Sequence, residues 1–477
     1  MTDGSCGRHN GRMSTAFDVA IVGAGSAGYA CALRAAQLGL SVALVDDGPL
    51  GGTCLHRGCI PTKAWLQAAK VRRTVEKAGA FGIGATLGET DPAGIKRYAT
   101  GVVDGLHRGL EGLIRGHGIT VIRERGTLVS DDSGPGVETA SGRYRARAVV
   151  LATGAAPITL GLETDGERIL TSDHALALEH LPQRAVVLGG GVIGVEFASL
   201  WADLGVDVTL IEATDRLLPA EEPAHSTLLA RELKRRGVSV RLDTTVDAAT
   251  RSADGVAVAI GDDSIETDLL LVAVGRRPAT TGLGLAEAGV TLAETGHVVV
   301  DDRLQTSVRG VFAAGDLVAG PQLAHRGYAH GLFLAERIAQ LQGKHPARPT
   351  LPADVDIPRI TYSSPQVASV GLTAEAAGPE AEVATYHLTG NGRAQILRGG
   401  DRETGMVRVV RRPDGAIVGV HAIGEDVAEL IAEGALLVGW QATVDDIAGI
   451  VHPHPTLSES IAEATWALGG RPLHMHA

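Results

Sequence analysis

The most constraining feature of this sequence is a glycine-rich turn that occurs twice in the same setting. Residues 17–46 read as an apolar strand, a G-x-G-x-x-G turn, an alanine-rich helix and a second strand that ends in an acid. Residues 184–212 repeat this order. The matched positions, each pair 166 residues apart, are Gly23 and Gly189, Gly25 and Gly191, Gly28 and Gly194, and Asp46 and Glu212. Four matches in register argue against coincidence.

The residue types in this pattern suit a dinucleotide. The first glycine permits a tight turn, the second lets the backbone approach a pyrophosphate, and the third lets helix and strand pack closely. The acid at the end of the second strand would bind a ribose 2′-hydroxyl. Two such units in one chain predict electron transfer between a permanently held cofactor and an exchanging one. Glu212 favours NAD over NADP because a carboxylate repels a 2′-phosphate, but Arg216 leaves NADP open.

Apolar strands connect the two units and lead to a third region. Residues 145–157 and 268–278 are strands that end in glycine turns, which suit crossings between the units, and residues 308–316 form another strand that ends at Gly-Asp. A proline-rich linker at 342–354 precedes a region that alternates strands with an amphipathic helix. We therefore predict an α/β fold with two Rossmann-like domains and a C-terminal α+β domain.

The predicted domain limits follow from these connectors. They are an N-terminal tail at 1–16, a first nucleotide domain at 17–158 that resumes at 281–350, a second nucleotide domain at 159–280, and a C-terminal domain at 351–477. Met13 is a candidate start, which would place Cys6 in an upstream extension.

Composition excludes several classes of protein. A formal net charge of −12 argues against a nucleic-acid partner. The first sixteen residues contain no apolar signal core, and the chain has no run of about 18 apolar residues, so neither secretion nor a membrane span is predicted. Four cysteines are too few for a secreted disulfide scaffold and indicate a reducing compartment. We therefore expect a cytoplasmic protein.

Two of the cysteines, Cys54 and Cys59, lie together in the segment GGTCLHRGC. In a regular helix the α-carbons of residues five apart are roughly 8.7 Å from each other, beyond the limit of about 7 Å for a disulfide. A bridge would need a distorted helix, which Gly58 would ease, and so small a loop adds little stability. This describes a labile, redox-active pair at the start of a helix whose dipole favours a thiolate. Two alternatives stay open at this point, a pair of inert thiols and a metal site. His56 alone would not complete a zinc site, so we predict no metal.

Two histidines near the C-terminus, His452 and His454, lie in the segment HPHPTLSE, which ends at Glu459. Thiol chemistry near neutral pH benefits from a histidine base, and an acid five residues later could fix its tautomer. The alternative is that these histidines are turn residues, which we favour for His452 but not for His454.

The segment GGTCLHRGCIPTK resembles the active-site signature of the two-cysteine flavoprotein disulfide reductases, the class I pyridine nucleotide-disulfide oxidoreductases. The motifs LATG, VGRRP and FAAGD follow in that family's order, and the resemblance runs from about Phe17 to the C-terminus. It implies FAD at the first unit and a nicotinamide cofactor at the second. Cys59 would then lie next to the flavin, and Cys54 would exchange with substrate.

The resemblance also implies roles for residues outside the cysteine pair. Asp316 would bind the ribityl chain of FAD, and Lys63 and Glu196 would form an ion pair near the flavin ring. Further cofactor-binding residues implied by the family motifs are Gly52, Thr53, Thr153, Gly154, Gly275 and Gly315.

The histidine segment most resembles the dihydrolipoamide dehydrogenase branch of this family. In that branch the histidine before Pro-Thr is the base and the glutamate five residues later orients it, so the resemblance implies these roles for His454 and Glu459. The partner subunit supplies this pair in the family. A homodimer is therefore implied, with the C-terminal domain as its interface. Ile193, Glu212 and a C-terminus without vicinal cysteines also favour this branch. The expected activity is oxidation of protein-bound dihydrolipoamide by NAD⁺. The expected partner is a lipoyl-bearing acyltransferase of a 2-oxoacid dehydrogenase complex or the lipoyl protein of glycine cleavage.

Two alternatives to this activity stay open. One is an NADPH-dependent reductase of a low-molecular-weight disulfide of the mycothione or glutathione type. The other is a non-catalytic subunit or redox sensor that retains flavin. The chain also has His56 and Arg57 where many relatives have Asn-Val. We hypothesise that these groups depress a thiol pKa or meet an acidic substrate group.

Overall fold

The computed structural model describes residues 16–132, 134–347, 350–399 and 404–475. The expectations for Met13 and Cys6 lie outside these residues. The chain divides into two compact units. Unit 1 comprises Met1–His56, Gly105–Ala156 and Arg277–Leu351, and unit 2 comprises Arg57–Asp104, Pro157–Arg276 and Pro352–Ala477.

The helices and strands follow in chain order. The first part of the chain contains β1 (Ala16–Val22), α1 (Ser26–Gln37), β2 (Val42–Val45), α2 (Gly52–Arg57), α3 (Cys59–Glu76), α4 (Pro92–Gly116), β3 (Thr120–Ile122), β4 (Thr127–Asp131), β5 (Gly134–Thr139), β6 (Gly142–Leu151) and β7 (Ala155–Pro157). The middle part contains β8 (Ile169–Leu170), α5 (Ser172–Ala175), β9 (Arg184–Leu188), α6 (Val192–Asp203), β10 (Asp207–Ile211), α7 (Pro223–Arg235), β11 (Ser239–Arg241), β12 (Ala248–Arg251), β13 (Val256–Ile260), β14 (Asp263–Thr267), β15 (Leu269–Val272) and β16 (Arg276–Pro278). The last part contains β17 (Val311–Ala313), α8 (Ala324–Leu341), β18 (Arg359–Thr361), β19 (Gln366–Gly371), α9 (Ala374–Ala377), β20 (Glu382–His387), α10 (Gly392–Arg398), β21 (Met406–Arg411), β22 (Ile417–Gly424), α11 (Ile431–Gly439), α12 (Val444–Ala448) and α13 (Glu459–Leu468).

Unit 1 is built on a sheet in the order β3-β2-β1-β6-β5-β4, with β17 also paired to β6. The pairs β1–β2, β1–β6, β2–β3 and β6–β17 are parallel, whereas β4, β5 and β6 pair antiparallel. Strand β1 is almost entirely buried, as its continuous apolar sequence requires in a parallel sheet. Helices α1 and α8 pack closely against each other.

Unit 2 contains a parallel sheet in the order β11-β10-β9-β15-β8, which repeats the arrangement of the first sheet. Next in the chain is a small antiparallel sheet, β12-β13-β14, and the C-terminal part forms an antiparallel sheet, β18-β19-β22-β21-β20. Helix α11 packs on β22 and α13 packs on β20. The fold class predicted from the sequence, two Rossmann-like units and a C-terminal α+β region, is therefore confirmed.

The two units group one segment differently from the domain limits set by sequence. Arg57–Asp104 belongs to unit 2, because α3 packs on α6 and Trp65 joins the apolar core around Phe197 and Trp201. From the sequence we assigned these residues to the first nucleotide domain, as part of residues 17–158. The domain limits stay predictions. No helix among the described residues is long and apolar enough to cross a membrane.

Candidate functional site

The first glycine of each predicted nucleotide turn has a backbone that only glycine adopts readily. Gly23 has φ +103° and Gly189 has φ +111°. A Cβ atom on Gly23 would lie 2.3 Å from the carbonyl oxygen of Ala152, and one on Gly189 would lie 2.5 Å from that of Ala273. In each unit the glycine turn therefore contacts the backbone of the residue that directly follows the neighbouring parallel strand.

The other two glycines of each turn differ in the space around them. A Cβ on Gly28 or Gly194 would lie 1.8 Å from the carbonyl oxygen of the first glycine of its turn. By contrast, nothing lies within 4 Å of a Cβ built on Gly25 or Gly191, which cap the N-termini of α1 and α6. Each helix N-terminus thus has open space beside its capping glycine, and binding of a pyrophosphate there stays a prediction.

The acidic residues at the ends of β2 and β10 are tied to these turns. Asp46 accepts hydrogen bonds from the backbone N–H of Ala24 and, at 2.7 Å, from that of Gly48. Glu212 accepts from the N–H of Gly190 and, at 2.8 Å, from that of Thr214. Both carboxylates are held at the mouth of a glycine turn, which fits recognition of a ribose hydroxyl in each unit.

In unit 1, the loop that carries Asp316 is held from α8. The N–H of Gly315 donates to Nδ1 of the buried His330 at 3.2 Å, and the Arg326 guanidinium donates to the carbonyl of Ala319 at 2.7 Å. Sequence reasoning missed His330 and Arg326. The only sequence feature that could have indicated them is that they are polar residues on the otherwise apolar face of a predicted helix.

Three of the other predicted cofactor residues lie in tight turns, whereas Gly52 and Thr53 begin α2. In unit 1, Thr153 Oγ1 donates to Ala279 O at 2.9 Å, and the N–H of Ala279 donates to Gly154 O at 2.9 Å. In unit 2, Gly275 has φ +126° and its carbonyl accepts from the N–H of Ile158 at 2.9 Å. Their binding roles stay predictions.

The helix is interrupted between the two cysteines. Helix α2 contains Cys54, Gly58 leaves helical geometry at φ −143° and ψ −115°, and α3 begins at Cys59. The distortion that the spacing argument required is therefore present at Gly58. Cys59 is the first residue of an 18-residue helix, where the helix dipole favours a thiolate.

One turn along α3, Lys63 meets Glu196 of α6. Lys63 Nζ donates to the two carboxylate oxygens at 2.9 and 2.8 Å, and the N–H of Tyr362 donates to the same carboxylate at 2.9 Å. Burial alone would lower the pKa of Lys63, but Glu196 outweighs it and, with a smaller contribution from Cys59, raises the pKa above its ordinary value. The predicted ion pair therefore exists, and Lys63 supplies a fixed positive charge near Cys59.

The predicted histidine–glutamate pair is also brought together. His454 Nδ1 lies 2.8 Å from Glu459 Oε1, and the N–H of Thr456 donates to the other oxygen at 2.8 Å. Burial alone would raise the pKa of Glu459, but the hydrogen bonds from Thr456 and His454 hold it below its ordinary value. The His454 side chain is 73% exposed, which leaves Nε2 as the ring atom available for proton transfer.

His452 has a partner that the sequence did not reveal. Its Nε2 lies 2.7 Å from Glu433 Oε1 on α11, and its side chain is buried. This hydrogen bond raises the pKa of His452 against the effect of burial. His452, which we expected to be a turn residue, also joins the histidine segment to α11.

The side chains of His56 and Arg57 make contacts of their own. His56 Nε2 lies 2.9 Å from the carbonyl of Leu50, and Arg57 lies 3.6 Å from Asp173. A role for either group in thiol ionisation stays a hypothesis. Among the described residues, no cluster of His, Cys, Asp and Glu is arranged to hold a metal ion.

Comparisons with known proteins bear on both parts of the chain. Residues 17–331 match the family model described as pyridine nucleotide-disulphide oxidoreductase, and residues 357–465 match the dimerisation domain of that family. A dihydrolipoyl dehydrogenase from Bacillus subtilis is 38% identical, over 97% of this chain and 100% of the relative. One from Thermus scotoductus is 37% identical, over 96% and 99%. The solved structure of LpdA from Mycobacterium tuberculosis is similar, with a TM-score of 0.86 at 28% identity, covering 95% of this chain and 99% of that one.

Proposed function

Because this chain belongs to the pyridine nucleotide-disulphide oxidoreductase family, we propose that it is a dihydrolipoyl dehydrogenase, which oxidises protein-bound dihydrolipoamide to lipoamide and reduces NAD⁺. The observation that carries the proposal is similarity to dihydrolipoyl dehydrogenases over nearly the whole chain. It is supported by a cysteine pair at an interrupted helix and a histidine base held by a glutamate.

FAD and NAD are the cofactors. The glycine turn of unit 1, Asp46 and the loop around Asp316 would hold FAD, and the turn of unit 2 with Glu212 would hold NAD. Bound flavin supplies a two-electron carrier between the cysteine pair and the nicotinamide. The open space at Gly25 and Gly191 fits the pyrophosphates of these groups.

The residues of the chain divide the thiol chemistry between them. His454 Nε2 accepts the proton of a dihydrolipoamide thiol, and the resulting thiolate attacks Cys54 Sγ. The bond between Cys54 and Cys59 breaks, and Cys59 leaves as a thiolate. The second substrate thiol then displaces Cys54 from the mixed disulfide, which releases lipoamide, and the departing Cys54 sulfur takes up the proton that this thiol gives up. Glu459 orients the His454 ring, and Lys63 balances negative charge near Cys59.

The biological setting extends this proposal. The match of residues 357–465 to a dimerisation domain supports a homodimer in which His454 and Glu459 serve the partner subunit. The substrate would be carried by a lipoyl-bearing acyltransferase of a 2-oxoacid dehydrogenase complex or by the lipoyl protein of glycine cleavage. The scarcity of cysteines supports a cytoplasmic location.

A steady-state assay tests the proposal. The purified protein, reconstituted with FAD, should turn over dihydrolipoamide with NAD⁺, and Cys54→Ser should abolish this activity. NADPH with mycothione or glutathione disulfide should give far lower rates. Faster turnover in the NADPH assays, or full activity of Cys54→Ser, would reject the proposal.

A further inference from the structure

The short helix that carries Cys54 is held through one shared backbone carbonyl. Leu50 O lies 2.9 Å from His56 Nε2 and 3.1 Å from His107 Nδ1. The two imidazole rings meet edge to face, with centroids 4.9 Å apart. Because a carbonyl only accepts hydrogen bonds, His56 must carry a proton on Nε2 and His107 on Nδ1. The carbonyl passes no proton between them, so the arrangement is a clamp rather than a relay.

The clamp is fixed at the side of α4. His107 Nε2 lies 3.5 Å from Glu111 Oε1 on the next turn of the helix, and Arg123 binds that same oxygen at 2.7 Å. The His107 side chain is 22% exposed, so most of the ring is enclosed. Glu111 therefore lies at the edge of the His107 ring that faces away from Leu50.

The other side of the Leu50 loop rests on the first glycine turn. The N–H of Gly51 donates to the carbonyl of Ala24 at 2.9 Å. A Cβ on Gly52 would lie 2.6 Å from the Cα of Gly25, so the two backbones are in contact. Leu50 is therefore pinned between the nucleotide turn and two histidines.

Helix α2 depends on this anchoring because it is too short to be stable alone. It has six residues, of which Leu55 is buried, whereas isolated helices shorter than about 12 residues are marginal in water. The hydrogen bond from His56 to Leu50 O joins the two ends of the segment that contains α2. The hydrogen bond from His107 to the same oxygen attaches this segment to α4. The position of Cys54 follows from this set of contacts.

We propose that His56 and His107 are positioning residues that hold Cys54 in place in the dithiol state. This inference rests on the proposed function, in which the bond between Cys54 and Cys59 opens in every cycle. In the disulfide state that bond tethers α2, and in the dithiol state only non-covalent contacts remain. The clamp and the bond both order α2, so each favours the other, and without the clamp Cys54 is less often in position to form the bond. Loss of the clamp therefore disfavours the disulfide state more than the dithiol state, and the pair becomes easier to reduce.

Equilibration with dithiothreitol measures this effect directly. One dithiothreitol transfers two electrons and two protons to the protein disulfide, which yields cyclic oxidised dithiothreitol and the two thiols of Cys54 and Cys59. His107→Phe keeps a ring but removes the donor, and should raise the equilibrium constant for reduction about three-fold, which is about 14 mV for a two-electron couple. His56→Phe should act similarly.

The double variant tests whether the two histidines share one acceptor. Either histidine alone still satisfies Leu50 O, so each single change is partly compensated. His56→Phe combined with His107→Phe should raise the equilibrium constant for reduction more than ten-fold, which is about 30 mV. The single variant His107→Asn keeps an amide N–H near the position of Nδ1 and should therefore keep the equilibrium constant of the parent protein.

His117→Phe is the matched control. His117 directly follows the last residue of α4, and its Nδ1 lies 2.9 Å from Leu113 O, one turn back in the same segment. This variant should keep the parent equilibrium constant. Alkylation of Cys54 and Cys59 followed by mass spectrometry gives the reduced fraction, and FAD content and Tm are recorded on the same samples.

An unchanged equilibrium constant in the double variant would overturn the inference. If His107→Phe lowers Tm markedly, His56→Phe and His107→Asn decide the question, because a general loss of packing would leave the Asn variant shifted too. The dithiothreitol equilibrium needs neither NAD⁺ nor lipoyl substrate. A parent protein that is inactive with dihydrolipoamide but whose clamp variants are easier to reduce would reject the proposed function and keep the clamp.

Discussion

His225 on α7 is completely buried, and both of its ring nitrogens lack a hydrogen-bond partner among the described residues. Its ring faces His421 of β22, with centroids 6.4 Å apart. Burial lowers the pKa of His225 to about 3, and electrostatic interactions with His421 and Arg408 act in the same direction. Burial also lowers the pKa of His421. Both histidines are therefore neutral in the folded protein at neutral pH.

This neutrality predicts acid sensitivity. His225 binds a proton in the unfolded chain below about pH 6.5 but stays neutral in the folded chain down to about pH 3. The free energy of unfolding should therefore fall as the pH drops through this window, by up to about 1.4 kcal/mol per pH unit. His225→Leu should remove most of this dependence, as measured by the urea midpoint at pH 7 and pH 5. His180→Leu, at an exposed histidine, should retain it. Equal pH dependence in parent and His225→Leu would contradict the prediction.

The His454–Glu459 pair predicts a loss of turnover without a loss of fold. His454→Gln removes the base and should lower kcat by about 10²- to 10⁴-fold, the usual contribution of general acid–base catalysis. Glu459→Gln loses only the orienting charge and should cost less. His474 provides the control, since it pairs with Glu463 of the same helix at 2.7 Å. If His474→Gln lowers kcat as much as His454→Gln, the pairing is structural and His454 is not the base.

At the scale of elements, the glycine turns predict that neighbouring glycines respond differently to the same substitution. Gly194→Ala would place a methyl group 1.8 Å from a backbone oxygen and should destabilise the whole unit. Gly191→Ala meets nothing within 4 Å and should fold normally, but its methyl would occupy the space in front of α6. We expect Gly191→Ala to raise the KM for NAD⁺ at least ten-fold with Tm unchanged. A normal KM would mean that no nucleotide approaches this turn.

The features that could be predicted from the sequence are those fixed by residues close together in the chain. The glycine turns, the break at Gly58 and the pairing of His454 with Glu459 each depend on residues a few positions apart, and the repeat identified both parallel sheets. The positions of His107 and His330 could not be predicted, because each contacts a backbone group brought near only by the tertiary fold. For the same reason the sequence did not indicate that Arg57–Asp104 packs with unit 2.

At the scale of the whole molecule, exposed apolar side chains mark the region matched to the dimerisation domain. Trp440 is 75% exposed and Val451 is 92% exposed, and Leu436 and Ile450 are each about half exposed. Leu436 and Trp440 lie one turn apart at the end of α11, and the bond from His452 to Glu433 holds the Val451 segment beside that helix. Such a patch is costly on an isolated subunit, so it supports burial against a second copy.

This patch predicts that dimerisation and catalysis are lost together. Trp440→Asp combined with Val451→Asp would place charges in an apolar interface and should give a monomer by analytical ultracentrifugation. The His454–Glu459 pair would remain intact within each chain. Lipoamide turnover should nevertheless fall more than 100-fold, because the base would no longer reach the cysteines of a partner. Leu473→Asp changes an apolar residue that is 69% exposed but lies outside the matched residues 357–465, and it should leave an active dimer. A fully active monomer would show that His454 serves the cysteines of its own chain.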